Sequence, residues 1–257
     1  MKKKNKQQTN DMNIQNFEKW AKVYDLLFGR FRDDVEFYKK EAHKAKGKVL
    51  EIACGTGRIY LELLKDGIDA YGIDISENML ETLKKKAKEL GLKPKVKKAD
   101  MRTFRFNTKF SLIIIPFRSF LHNLTIEDQI KTLKNIKNHL APNGKLILNF
   151  FYPNPEVISK NYGKEKKETI KTKDKKYTLI SKSYFVDEVN QIVESINILK
   201  EKDKTIWKGK FRFAFIYKRE FELLLRLAGF RKWKVYADFN RKPLKSYKQE
   251  MIWIIEK

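Results

Sequence analysis

The sequence predicts an α/β fold: an open, doubly wound, mostly parallel sheet of seven strands with helices on both faces. Three observations carry this expectation. Residues 49–74 read VLEIACGTGRIYLELLKDGIDAYGID, in which an apolar run, a glycine turn, helix-spaced apolar residues and a second apolar run closed by Asp74 make one strand–helix–strand unit. Short apolar runs around 96–99 and 145–151 alternate with amphipathic segments of helical period. Residues 110–115, FSLIII, are apolar almost without a break, as a parallel strand buried on both faces must be.

The turn of the first unit is built to hold a ligand. Gly55 and Gly57 lack Cβ atoms, so the chain turns sharply there and approaches a ligand closely, with backbone amides at the start of the next helix near Arg58. Asp74 would end the neighbouring strand beside that turn, where a carboxylate accepts hydrogen bonds from the two hydroxyls of a ribose. The nicotinamide fingerprint is absent, because Gly57 is followed by Ile59 and Tyr60 rather than by a third glycine. A GxxxxGK[ST] phosphate loop is absent as well, which argues against nucleoside triphosphates.

Glu51-Ile-Ala-Cys-Gly-Thr-Gly57 resembles the first motif of the class I S-adenosylmethionine-dependent methyltransferases, an acid on the strand followed by a small-residue loop of the type E/D-x-G-x-G-x-G. Ala53 replaces the first glycine. The resemblance extends over residues 14–257 and implies a Rossmann-like methyltransferase sheet that binds S-adenosylmethionine. It implies that Glu51, Ala53, Gly55 and Gly57 hold the donor, that Asp74 takes the ribose, and that Ile75 walls the adenine. Asp100-Met101, after the third strand, resembles the adenine-recognition position, although Asp100 also reads as a simple turn acid.

Ahead of the sheet, Ile14, Phe17, Trp20, Tyr24 and Phe28 recur at helical spacing, predicting an amphipathic helix that ends near Gly29; a second covers about 33–46. The resemblance implies that these form an N-terminal helical lid. Tyr24 either faces the methyl donor, as in the family, or belongs to the apolar stripe. Ser76 caps a helix running to Gly91, and Thr125 opens another that stops before Pro142-Asn143-Gly144.

Pro116-Phe117-Arg118-Ser119-Phe120-Leu121-His122 follows the central strand, where doubly wound sheets place their ligands. Pro116 is expected against the donor. His122 is the candidate general base, or else packs on the short helix after the strand, and Arg118 suggests an anionic group on the acceptor. The segment lacks the D/N-P-P-Y/F sequence used on nucleobase amino groups and the acid expected for aminopropyl transfer. Cys54, the single cysteine, lies in the cofactor loop, so cysteine-based methylation of ring carbons is excluded, and with it any internal disulfide. Its simplest role is that of a small buried residue.

Residues 157–215 change pattern to alternating apolar and polar positions, predicting inserted antiparallel strands, and the resemblance implies that such an insertion covers the acceptor. Tyr184, Trp207, Arg212 and Phe215 are then pocket residues, or else parts of a covering or dimer-forming sheet. The domain organisation expected is a disordered basic tail at 1–13, a methyltransferase domain at 14–156 and 216–257, and the insertion between.

At 257 residues and 42% hydrophobic, the chain fits one large α/β domain. No apolar stretch approaches a membrane span, and the basic start lacks a following apolar signal core, so a cytoplasmic protein, monomeric or homodimeric, is expected. The net charge of +25 suggests nucleic acid, but only 11 of the 57 basic residues are Arg, the residue that grips phosphates bidentately. The function expected is methyl transfer from S-adenosylmethionine to a small-molecule acceptor, nitrogen ahead of oxygen. An RNA or ribosomal-component methyltransferase and a non-catalytic S-adenosylmethionine-binding protein are the alternatives.

Overall fold

The computed structural model describes residues 16–257; the tail at 1–13 and Ile14 lie outside the described residues. Residues 16–20 are helical, a turn follows at 21–23, and α1 (Tyr24–Phe28) ends at Gly29. The continuous helix expected over this stretch is therefore broken. The break lets Trp20 lie against Phe211 at a centroid distance of 4.1 Å, while Val23 and Leu27 pack with Leu199 and Trp207; tertiary packing overrides helical continuity.

Next come α2 (Val35–Lys44), β1 (Val49–Ile52), α3 (Tyr60–Lys65), β2 (Ala70–Asp74), α4 (Glu77–Glu89), β3 (Lys95–Lys98) and β4 (Phe110–Ile115). A 3-10 turn at Ser119–His122 leads to α5 (Ile126–His139) and β5 (Leu140–Phe151). Ser76 and Thr125 cap α4 and α5 as expected, each hydroxyl accepting from a backbone amide three residues on. After β5 the chain forms α6 (Pro155–Asn161) and a separate antiparallel sheet of β6 (Glu165–Lys171), β7 (Lys176–Asp187), β8 (Ile192–Glu201) and β9 (Lys204–Ala214). It returns through α7 (Lys218–Leu227), β10 (Lys232–Tyr236) and β11 (Glu250–Glu256).

The main sheet has the order β10-β11-β5-β4-β1-β2-β3, with β11 antiparallel to both its neighbours and the others parallel. From β1 the chain winds outward to β3, then returns to β4 and β5 on the other side. The order reverses between β1 and β4, and a crevice opens at the carboxyl ends of these strands.

One apolar layer joins α5 and α7 to the sheet through Leu133, Ile136, Phe221 and Trp253; the other joins α2, α3 and α4 through Tyr38, Tyr60 and Leu83. A buried ion pair ties the loop after β1 to the helices before it. The Arg58 guanidinium meets both carboxylate oxygens of Asp34, donates to the Phe31 carbonyl at 2.8 Å, and lies over the Phe117 ring. Both partners are under 9% exposed, so each charge depends on the other. Arg58→Ala is expected to cost about 3–5 kcal/mol in urea unfolding, because Asp34 is left buried and unpaired. Arg32→Ala, which breaks an exposed pair with Glu62, should cost about 0–1 kcal/mol in the same assay.

Candidate active site

The crevice holds a cavity whose walls come from four successive carboxyl ends: Ala53 and Gly55 after β1, Asp74 and Ile75 after β2, Asp100 and Met101 after β3, and Phe117 and His122 after β4. Phe17, Trp20 and Tyr24 of the N-terminal segment cover it.

At its centre is Asp74, 8% exposed. One carboxylate oxygen accepts from the Gly55 amide at 2.8 Å and the other from the Ser76 amide at 2.9 Å. Burial pushes the carboxyl up to about 6, against these backbone donors, which pull it down. The Gly55 amide is thus spent inside the protein, and what the turn offers a ligand is space. A Cβ on Gly55 would meet nothing within 4 Å, so the glycine leaves a hollow over the turn.

Gly57 has a different role from the one expected. It does not line the cavity, and a Cβ there would lie 2.8 Å from Leu61 Cγ and 2.9 Å from Leu83 Cγ, so this glycine lets α3 and α4 close on the turn. Ala53 adopts φ 57, a conformation that favours glycine, which is the physical reason the related motif has glycine there. Glu51 lies behind the cavity, 3% exposed, with no hydrogen-bond partner for Oε2 among the described residues. Burial holds its carboxyl well above the ordinary value despite the charge of Arg58 nearby.

Asp100 lines the cavity, but Arg102 wraps its carboxylate with Nε, a terminal nitrogen and its backbone amide. Burial pushes this carboxyl up, and the Arg102 hydrogen bonds and charge outweigh that push and hold it below its ordinary value. Ile75, Met79, Ala99 and Met101 supply an apolar wall.

Toward the four-stranded sheet, His122 lines the cavity and its Nδ1 lies 2.9 Å from the Arg212 carbonyl of β9. A carbonyl only accepts, so Nδ1 carries the proton and Nε2 keeps a lone pair. Burial holds the imidazole below its ordinary 6.5, hence neutral at physiological pH. The Tyr24 phenol also faces the cavity, and burial raises it well above its ordinary value, leaving it a hydroxyl donor.

Arg118 departs from expectation. It leaves the cavity and pairs with both carboxylate oxygens of Glu250, at 3.1 and 2.8 Å, while lying over Phe151. Asn149 of β5 forces this path: its side-chain oxygen accepts from the Phe117 amide and its carbonyl from the Arg118 amide, holding these residues at φ 56 and 67. Phe117 turns into the cavity and Arg118 turns out. Pro116 is also absent from the lining, its carbonyl taken by the Ser119 hydroxyl at 2.9 Å.

Of the four insertion residues singled out from the sequence, none lines this cavity. Trp207 stacks on Trp20, Tyr184 donates to Glu194, Arg212 lends its carbonyl to His122, and Phe215 packs beneath the sheet against Phe151. Sequence reasoning missed Glu18, whose carboxylate accepts from the Ser76 hydroxyl and from the Glu77 and Asn78 amides at the start of α4. Glu18 occupies a polar position of the helical stripe, and nothing in its spacing sets it apart from neighbouring charges.

The cavity fits S-adenosylmethionine. Asp74 can accept from ribose hydroxyls, the hollow over Gly55 admits a ligand, the apolar wall suits a purine, and the orphaned oxygen of Glu51 lacks the donor that an ammonium group provides. Residues 49–144 match the family model described as a methyltransferase domain. The Bacillus subtilis (strain 168) protein YqeM, whose name gives a methyltransferase without an acceptor, is 27% identical over 240 residues, 87% of this chain and 90% of that protein. A Streptomyces venezuelae dTDP-3-amino-3,4,6-trideoxy-alpha-D-glucopyranose N,N-dimethyltransferase is 30% identical over 135 residues, 50% of this chain and 55% of that protein. In fold, the chain is similar to the CcbJ methyltransferase from Streptomyces caelestis, with a TM-score of 0.79 at 21% identity, covering 93% of this chain and 97% of that one. The fold is that of the class I S-adenosylmethionine-dependent methyltransferases, and residues 49–144 carry a methyltransferase domain. Among the described residues no helix is long and apolar enough to cross a membrane.

Two outcomes are expected. S-adenosylmethionine affinity, followed by calorimetry, should weaken as pH falls through about 6, where Asp74 takes up a proton and loses acceptor capacity, and Asp74→Asn should flatten the dependence. Gly55→Ala should lower that affinity with little change in unfolding midpoint beyond the cost of φ 53, whereas Gly57→Ala should lower the midpoint by several degrees, since its Cβ has no room.

Proposed function

We propose that the protein transfers the methyl group of S-adenosylmethionine to an amine nitrogen of a small-molecule acceptor. The observation that carries this is His122: a neutral imidazole at the cavity wall, with Nδ1–H committed to the Arg212 carbonyl and the Nε2 lone pair available. When bound, S-adenosylmethionine supplies an electrophilic methyl on a sulfonium, which a lone pair displaces in line while the C–S electrons leave on sulfur. Asp74, Gly55, Ile75 and Met101 would hold the donor's nucleoside, Asp100, fixed by Arg102, would meet its base, and Glu51, behind the lining, would answer its ammonium group. His122 Nε2 takes the proton that the acceptor ammonium must lose before its lone pair is free. Phe17, Trp20 and Phe117 present aromatic faces to the cationic centres and exclude water, and Tyr24 donates a hydroxyl hydrogen bond.

The relation to the amino-sugar N,N-dimethyltransferase supports nitrogen as the accepting atom. The displacement of Arg118 onto Glu250 removes the argument for an anionic group on the acceptor. In the domain organisation that goes with this function, residues 14–156 and 216–257 bind the donor, while the inserted sheet positions His122 and backs the N-terminal segment.

The test is a methyl-transfer screen with labelled donor over paired acceptors that differ only in amine against hydroxyl. Labelling of the amines alone is expected; labelling confined to hydroxyls would overturn the proposal. With an acceptor in hand, His122→Asn should lower kcat by about 10²–10⁴-fold and leave donor affinity unchanged. The wild-type rate should fall with acid below the lowered pKa of His122, and the variant should lose that limb.

A further inference from the structure

We infer that the acceptor amine is tertiary, a nitrogen already bearing three carbon substituents, so that the product is a quaternary ammonium. This rests on the amine reading given above and adds the class of amine to it. Three features of the cavity wall carry it: the arrangement of its rings, its hydrogen-bonding capacity and its charge.

Phe17, Trp20 and Tyr24 of the N-terminal segment and His122 of the turn after β4 all line the cavity. Phe17 and Trp20 are nearly parallel, at 29° with centroids 6.1 Å apart. His122 stands at 83° to Phe17, with centroids 5.0 Å apart, and Tyr24 at 84° to Trp20, at 5.3 Å. All four residues are only partly buried. Rings turned across one another do not close into a single stack, so they present aromatic surface to the cavity from two directions. Such surface holds alkylated ammonium groups, whose charge is spread over weakly hydrated methyls.

Hydrogen bonding points the same way. A primary ammonium has three N–H groups to place, and a tertiary one has a single N–H. The lining carboxylates, Asp74 and Asp100, are assigned above to the donor's nucleoside, and each is already engaged, Asp74 by the Gly55 and Ser76 amides and Asp100 by Arg102. The Ser119 hydroxyl, also in the lining, donates to the Pro116 carbonyl at 2.9 Å. Among the four rings the basic atom is His122 Nε2, since Nδ1 donates to the Arg212 carbonyl. One basic acceptor beside aromatic surface matches an ammonium with one N–H and three carbon substituents.

Charge leaves room for such a group. The lining cation, Arg102, is taken up by Asp100 and Asp128, so no unpaired lining cation among the described residues opposes a positively charged acceptor. The acceptor ammonium gives its one proton to His122 Nε2, and the freed lone pair forms the N–C bond as the C–S bond of the sulfonium breaks and its electrons stay on sulfur. The product nitrogen has four carbon substituents, a fixed positive charge and no lone pair, so transfer ends there. The rings meet that charge as it forms.

The experiment titrates the full-length protein, saturated with S-adenosylhomocysteine, with choline, with its neutral carbon isostere 3,3-dimethylbutan-1-ol, and with ethanolamine, followed by NMR on the Trp20 indole and His122 imidazole signals. S-adenosylhomocysteine has no sulfonium, so the donor's own charge is absent from the site. Saturable choline binding that shifts both signals, about tenfold or more tighter than the isostere and than ethanolamine, is expected. Trp20→Leu should bring choline and its isostere toward equal affinity, and Trp20→Phe should keep them apart; Phe17→Leu serves as the second variant. Because the isostere has the shape of choline, that ratio reports recognition of charge, which a loosened fold would not change selectively. In the methyl-transfer screen, tertiary amines should be labelled ahead of their primary counterparts. No saturable choline binding, equal affinity for the isostere, choline displaced by S-adenosylhomocysteine, or primary amines labelled ahead of tertiary ones would overturn the proposal and leave the amine reading standing. Labelling confined to hydroxyls would remove both.

Discussion

The site depends on one carboxylate held where it is not at ease. Asp74 closes β2 at the point where the β1 turn and the start of α4 converge, and its two oxygens receive the Gly55 and Ser76 amides. That bridge ties the turn to the helix start, which Glu18 holds from the other side. The folded protein keeps a proton on Asp74 up to about pH 6, whereas the unfolded chain releases it near 3.8, so the stability this group contributes declines as pH rises between those values. At neutral pH the charge is therefore a burden on the fold. A ligand that adds hydroxyl donors relieves it, which turns a cost in stability into a preference for the bound state.

The support behind that carboxylate is built in layers. Arg58, in the same turn, is anchored by Asp34 and by the Phe31 carbonyl, and its guanidinium carries Phe117 on its face. Phe117 is aimed into the cavity because Asn149 captures its amide, and Asn149 is held in turn by the Tyr38 hydroxyl and by Glu250. A residue on β5 thereby determines what the loop after β4 shows to a ligand. The same network explains why Arg118, which looks free and basic in the sequence, is not: Glu250 sits on the neighbouring strand β11 and takes it.

The repeating pattern of the core made the sheet legible in the sequence. The strands β1, β2, β4 and β5 are apolar runs bounded by turn residues, and the caps Ser76 and Thr125 announce their helices. The strand β6 was not legible. EKKETIK buries only Ile170, and an edge strand with one inward residue has no alternation to read. Within the site, the residues that were readable are those whose backbone position sets their role, namely Gly55, Asp74 and Ile75. Arg118 and Pro116 were misplaced because their direction follows from positive φ angles imposed by a residue some thirty positions later in the chain. Glu18 was invisible for the same reason, since its partners at the start of α4 are almost sixty residues away.

Part of the basic excess lies along the sheet edges. One edge of the main sheet is β3, whose Lys95, Lys97 and Lys98 stand beside backbone groups that no strand pairs among the described residues. The outer edge of the inserted sheet is β6, with Lys166, Lys167 and Lys171. Lysine on an exposed edge prevents another strand from docking there, because a second chain would bury the ammonium groups along with its own backbone. The cavity shows the opposite balance: Asp74 and Asp100 face it, and the cation of Arg102 is taken up by Asp100 and Asp128. Six of the lysines thus stand where strand pairing must be refused, and the arginine at the cavity wall is neutralised where the donor would bind. Lysine at these edges serves the two open sheets whatever the acceptor is, and this share of the basic excess needs no polyanionic substrate.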